Sequence, residues 1–325
     1  MSNAQVTRPG LLSRFWLWLP STVDRRVRFL AWASFVCQVV LIGTGGAVRL
    51  TGSGLGCPTW PECAAGSFTN TPEMGIHGFI EFGNRMLTFV LSIIVILVFL
   101  SVLRIRKVRR DLFWLTFAQG MSIPFQAVLG GITVLVKLNP YVVGAHFVVS
   151  IVLVALTATL VYRVKRGPRG ATAATPRWYA IVTHVTSFVV AVTVLVGVLT
   201  TGAGPHAGDA DTHRNGLDPA VLEHVHSWPA YTTFALTLLL VIAALRLGLP
   251  RRFPLLLLAV ELVQIAVGLL QARTGLPPVL VGSHMVLAGL LVAAMTATVL
   301  SLKNDQTLDE AERSLDVPLR SVTPA

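Results

Sequence analysis

Eight apolar runs, each long enough to cross a bilayer, constrain this chain more than any other feature. They cover residues 28–49, 78–103, 112–136, 141–163, 177–200, 224–247, 253–272 and 279–302. A spanning helix needs about 20 mostly apolar residues. Hydrocarbon admits only helices or closed barrels, because every backbone N–H and C=O must pair internally. Unbroken apolar runs exclude the alternating pattern of a barrel strand. Only 13% of the 325 residues are charged and 54% are hydrophobic, with a mean hydropathy of +0.70; a soluble domain would carry roughly a quarter charged residues. The expected fold class is all-α, integral to the membrane, with eight transmembrane helices.

The net charge of +11 is arranged as a topology signal and not as a nucleic-acid footprint. Arg25, Arg26 and Arg28 lie at the start of the first run, and Arg104, Arg106, Lys107, Arg109 and Arg110 between the second and third. Arg163, Lys165, Arg166, Arg169 and Arg177 lie between the fourth and fifth, and Arg246, Arg251 and Arg252 between the sixth and seventh. All these clusters fall on one side, which the positive-inside rule makes cytoplasmic. Both termini are therefore expected in the cytoplasm, with lipid as the surrounding partner and no nucleic acid. No cleavable signal peptide is expected, since the first apolar run is long and lacks a small-residue cleavage site. The acidic stretch from Asp305 to Asp316 reads as a short solvated helix or a disordered tail.

The chain repeats itself. Residues 125–149, FQAVLGGITVLVKLNPYVVGAHFVV, align without a gap over 263–287, VQIAVGLLQARTGLPPVLVGSHMVL, at an offset of 138. Gln126/Gln264, Gly130/Gly268, Leu138/Leu276, Pro140/Pro278, Gly144/Gly282 and His146/His284 coincide. Shared hydrophobicity does not produce matching Gln, Pro, Gly and His. Upstream, Thr51-Gly52-x-Gly54 matches Thr201-Gly202-x-Gly204, and Glu81-x-x-Asn84 matches Glu223-x-x-His226. Four spans per copy is an even number, so the expected architecture is two tandem four-helix bundles in parallel orientation, with the repeat axis along the membrane normal. The expected boundaries are a cytoplasmic segment 1–27, a first bundle 28–163, a basic linker 164–176, a second bundle 177–302 and a cytoplasmic tail 303–325.

Ionisable residues inside spans are costly and mark function. His226 and His284 stand near the outer starts of spans six and eight, and His146 occupies the counterpart of His284 in the first copy. Facing helices that aim two histidines inward hold a metal or a haem. No carboxylate cluster accompanies them, which argues against zinc or a di-iron centre; a porphyrin needs only axial ligands and an apolar slot. A single membrane histidine would instead make an interhelical hydrogen bond. Glu81 lies within its span beside Arg85 and reads as a general acid/base or a ligand-orienting carboxylate. Glu223 reads as a solvated helix-start carboxylate. Arg49 and Arg85 have two readings, pairing with propionates or snorkelling to the interface. His184 reads as a packing residue; His206, His213 and His224 read as solvated or propionate-contacting. Cys57 and Cys63, six residues apart on the oxidising face, read as a disulfide or a redox-active dithiol. Cys37 reads as a buried apolar residue.

In order and spacing, GGAVRLTGSGLGCPTWPEC, TTGAGPHAGD and the histidines opening spans four and eight resemble the haem A synthases, over essentially all eight spans. The resemblance implies oxidation of a ring methyl of haem O to the formyl group of haem A, for terminal oxidase assembly. It implies two successive two-electron steps, through the alcohol to a hydrated aldehyde that loses water. It implies a haem b held between His226 and His284 in the second bundle, and substrate haem in the first, with His146 as one ligand. Glu81 matches the proposed catalytic carboxylate, and Cys57 and Cys63 match the outer-loop pair in the substrate half. The family commonly reads E-x-x-H-R on span two, whereas this chain reads Glu81-Phe-Gly-Asn84-Arg85, and an amide is a poor iron ligand. His77, two turns or about 10.5 Å away on the same face, is the candidate replacement; otherwise the substrate iron has His146 alone. A farnesyltransferase producing haem O is the partner the resemblance implies. The electron acceptor and self-association into a homo-oligomer stay open. The rival readings are a bis-histidine cytochrome that only carries electrons, whose symmetrical ligation Asn84 contradicts, and a haem transporter or chaperone, which needs no carboxylate in its slot.

Overall fold

The computed structural model describes residues 10–305; the acidic stretch beyond Asp305 lies outside the described residues. The eight expected spans are eight helices long and apolar enough to cross a membrane. After a short helix α1 (Leu11–Trp18) come α2 (Arg25–Leu50), α3 (Gly75–Leu103), α4 (Arg110–Leu135), α5 (Pro140–Arg166), α6 (Arg177–Ala203), α7 (Pro219–Arg246), α8 (Arg252–Arg273) and α9 (Pro278–Leu300).

The helix starts lie where local chemistry sets them. Asp24 accepts a hydrogen bond from the Val27 N–H at 3.0 Å, capping α2. Asn139 and Asp218 do the same for α5 and α7, each followed by proline at the first helical position, where a missing N–H costs nothing. The α4–α5 and α8–α9 turns share one backbone form. Leu138 and Leu276 both have positive φ, 58° and 61°. Their N–H groups reach back to Thr133 and Gln271 carbonyls at 2.8 and 2.9 Å, the six-to-one bond of a helix C-terminal motif.

In the interior α2 packs on α5 and α9, α5 on α6 and α9, and α6 on α9. Helices α3 and α4 pack on α2 and α5 respectively and on each other, and α7 and α8 on α6 and α9 in the same way. The seam between α2 and α5/α9 is filled by Ile42, Ile151, Val154 and Ala293. Large apolar side chains such as Phe79, Phe89, Phe188 and Val279 point outward, with Val279 79% exposed. A surface of this kind belongs against lipid.

At the basic end, α1 lies under the α3–α4 connection, where the Arg104 guanidinium donates to the Leu17 and Leu19 carbonyls. Residues Arg169–Ala173 (β1) and Lys303–Asp305 (β2) form an antiparallel two-stranded ribbon. Asp305 is thus not the start of a solvated tail: it is part-buried in that ribbon and ion-pairs with Arg163 at 3.6 Å and Arg166 at 3.9 Å. Composition alone does not show this pairing, because strand partners far apart in sequence leave no local signal.

Candidate functional site

At the opposite end from the basic clusters, three histidine rings are seated in one manner. His146 on α5 rests against Gly130 of α4, its Cε1 3.3 Å from where a glycine Cβ would stand. His284 on α9 rests against Gly268 of α8 at 3.0 Å, and His226 on α7 against Gly197 of α6 at 2.9 Å. Each glycine leaves the space an imidazole edge needs. The side-chain amides of Gln126 and Gln264 donate to the His146 and His284 carbonyls at 3.4 and 3.2 Å, bracing the helix under each ring. The Nδ1 atoms of all three rings are buried without a hydrogen-bond partner, a costly state for a polar group unless something else engages the ring.

His226 and His284 face each other with ring centroids 6.3 Å apart and planes at 75°. A metal–imidazole bond of about 2.0–2.1 Å, plus about 1.1 Å from nitrogen to ring centre on each side, separates two rings on one ion by about 6.3 Å. Among the described residues no three His, Cys, Asp or Glu converge as a metal cluster. A two-histidine donor set flanked by apolar helices fits a haem iron, which brings its own four equatorial nitrogens.

The first half differs across from its histidine. Asn84 stands where His226 stands in the second half, and its Oδ1 accepts from the Thr44 hydroxyl of α2 at 2.7 Å. In the register of the two T-G-x-G turns, Ala47 replaces Gly197, so the small-residue seat is gone along with the ring. His77 is exposed at the end of α3. Its Nδ1 pairs with the Ser53 hydroxyl at 2.9 Å, and it lines a cleft with Leu55, Pro58, Met74 and Asp209.

Cys57 and Cys63 are joined in a disulfide, and Cys37 is free and buried. Glu81 lies under that loop, 6% exposed. One carboxylate oxygen accepts the Cys57 N–H at 2.7 Å and the other the Arg85 guanidinium at 2.6 Å. Arg85 in turn donates to the carbonyls of Cys57, Thr59 and Glu62. The pair thus fastens the disulfide loop to α3, and the Arg85 fork is committed to this loop.

Arg49 bridges the halves: it donates to the His206 carbonyl at 2.7 Å and the Thr201 carbonyl at 2.9 Å. The His206 ring meets the Leu276 carbonyl at 2.9 Å, so this histidine belongs to an inter-loop brace and not to solvent. His184, His213, His224 and Glu223 are exposed. Two residues carry weight that sequence reasoning did not assign. Glu261 of α8 is 3% exposed, lies beside Thr237 and has a carboxyl oxygen without a partner; its signal was an acid in the middle of an apolar run. Trp60, in the disulfide loop, reaches across to α4 at Gly131.

These features define a polytopic membrane protein with two facing histidines in one half and, in the other, a single glycine-seated histidine and a disulfide loop. Residues 28–296 match the COX15-CtaA family, the cytochrome oxidase assembly proteins, and the chain belongs to that family. A heme A synthase of Bacillus pumilus is 38% identical over 138 residues, 41% of this chain and 44% of the relative. One of Listeria welshimeri is 31% identical over 137 residues, 41% and 45% of the two chains. One of Geobacillus thermodenitrificans is 26% identical over 153 residues, 47% of each. Each match spans less than half the length of the curated relative. With its eight apolar helices and bacterial relatives, the chain is a multi-pass plasma-membrane protein.

Proposed function

We propose that this protein is a haem A synthase, an oxidoreductase that converts a ring methyl of haem O to a formyl group. The observation that carries the reading is the 6.3 Å spacing of His226 and His284, two half-buried rings spaced as for one iron, in a chain of this family. In this reading residues 28–163 and 177–302 are tandem four-helix bundles in parallel orientation, joined by the linker 164–176. The segments 1–27 and 303–325 and both termini are cytoplasmic. The matching turns at Leu138 and Leu276 and the matching glycine seats support the repeat.

His226 and His284 hold a resident haem b, which supplies one-electron transfer when bound. His146 is the protein's ligand to the substrate haem. The Asn84–Thr44 hydrogen bond supports a substrate site with that one protein ligand, while His77 is paired with Ser53. Turning a methyl and one water into a formyl group releases four protons, two from each, and four electrons, which an external electron acceptor must take. Glu81 accepts protons from the substrate side at its carboxylate, and Arg85 and the Cys57 N–H hold that carboxylate in one orientation. Arg49 ties α2 to the end of α6 and the loop after it, and one of its guanidinium nitrogens remains for a propionate. A farnesyltransferase that makes haem O is the expected supplier of substrate.

The test is mass analysis of haem extracted from cells that co-express this chain with a supply of haem O. Haem A or its hydroxymethyl precursor, absent from a vector control, is the expected result. Unchanged haem O alongside a folded, haem-loaded protein would overturn the synthase reading in favour of an electron carrier.

A further inference from the structure

The disulfide loop carries one large side chain that the proposed chemistry does not use. From Cys57 to Cys63 the loop reads C-P-T-W-P-E-C, and it is fastened on both flanks of the tryptophan. Glu81 holds the Cys57 N–H, and Arg85 holds the Thr59 and Glu62 carbonyls. The Trp60 indole comes to rest on α4 at Gly131, where an added Cβ would overlap ring atoms Cδ2 and Cε2. The residue before it, Gly130, carries the edge of His146. Indole and imidazole therefore lean on adjacent glycines of α4, whose Cα atoms are about 3.8 Å apart and whose Cβ directions differ by about 100° around the helix. Trp60 keeps 36% of its surface exposed, so the residue is not enclosed by its loop and α4.

The second half supplies an internal control. At the offset of 138, Gly130 corresponds to Gly268, which seats His284 in the same way. Gly131 corresponds to Leu269, and that half has no cysteine loop. The glycine that seats a histidine is common to both halves. The glycine that seats the indole occurs only where the tryptophan loop does.

We infer that Trp60 is a binding residue of the first-half site, its indole packing on the haem substrate held at His146, with Gly131 as its seat and the disulfide loop as its arm. The inference rests on the haem reading of that half. An aromatic ring on a flat π system is a specific, offset-stacked contact. A ring already fixed by its loop loses little entropy when it binds.

The test is an anaerobic absorbance titration of the full-length, haem b-loaded protein with haem O, for the parent, Trp60→Ala, Trp60→Phe and Gly131→Ala. Trp60→Ala and Gly131→Ala are each expected to weaken haem O binding about tenfold, the second because its Cβ evicts the indole. Trp60→Phe should recover most of the affinity. The low-spin haem b spectrum, the melting temperature and the intact disulfide should match the parent in all three. Parental affinity in both Trp60→Ala and Gly131→Ala would overturn the inference and leave the site standing. Affinity lost only together with a lower melting temperature or an opened disulfide would make Trp60 a structural anchor and also overturn it. A parent that takes up no haem O beside its haem b would overturn the first-half site itself, and this inference with it.

Discussion

The first four spanning helices and the last four seat a histidine on a glycine in the same way and then surround it differently. In the second half His284 on Gly268 faces His226 on Gly197, and the rings stand 6.3 Å apart. In the first half His146 rests on Gly130, while Asn84, the counterpart of His226 in the sequence repeat, is hydrogen-bonded to Thr44, and a loop is closed by Cys57 and Cys63. The change rests on few positions: Asn84 for His226, Ala47 for Gly197, and Gly131 for Leu269. A helical frame tolerates such changes because interior space is allotted residue by residue at close-packed density. One frame can thus hold a fixed two-ligand centre and an open one-ligand centre.

The comparison breaks most completely at the paired histidines. Replacing His226 or His284 with Ala should lower the low-spin haem content of the purified protein more than about tenfold, whereas His146→Ala should leave that signal in place. Equal losses from all three, read by haemochrome absorbance, would erase the distinction between the halves.

The loop of the first half should respond next. Arg85→Ala strips the partner from the buried Glu81 carboxylate and should cost about 3 kcal/mol, seen as a lower melting temperature and faster reduction of the disulfide. Glu81→Gln keeps an acceptor for the Cys57 N–H but turns its amide NH2 toward Arg85, so it should loosen the loop less than Arg85→Ala while abolishing haem A formation. Retained activity in Glu81→Gln would remove Glu81 from the chemistry.

Converting one half toward the other sharpens the comparison further. Asn84→His combined with Ala47→Gly restores both the ring and its seat. The double variant should hold about two low-spin haems per chain where the parent holds one. Asn84→His alone should do so less well, because the Ala47 methyl occupies the seat.

The smallest effect is expected at Glu261, in the half with no proposed proton chemistry. Its carboxyl is buried beside Thr237, and no ion pair is formed by it among the described residues. Glu261→Gln should therefore change stability by less than about 1 kcal/mol. A drop of several kcal/mol in a melting assay would mean that the acid is ionised and paired.

Much of the site was readable as a pattern. The repeat at offset 138 pointed to His146 and His284, and their neighbours Gly130 and Gly268 proved to be their seats. The cysteine spacing pointed to the loop, and the loop is closed. The spans were readable to within a few residues. The largest departure was α7, which begins at Pro219 and not at 224. Its first turn is set by a polar cap that lies outside the apolar window. Other roles were not readable. Arg49 reads in the sequence as a propionate contact or a snorkelling cation, and its bonds to the Thr201 and His206 carbonyls, more than 150 residues away, have no local signal. Glu81 reads in the sequence as a general acid/base or ligand-orienting carboxylate beside Arg85, and its second partner, the Cys57 N–H, lies on a loop that no local pattern joins to it.

The sequence by itself determined the eight helices, their order and the residues available for chemistry. Hydropathy, caps and turns are local, and in hydrocarbon the backbone has no partner but its own helix. Only the tertiary structure decided which polar groups meet. It set His226 against His284 at ligand spacing, gave Arg85 to the disulfide loop, and laid Trp60 on Gly131. Those pairings depend on how side chains reach between helices that are distant in the chain, which no local pattern records.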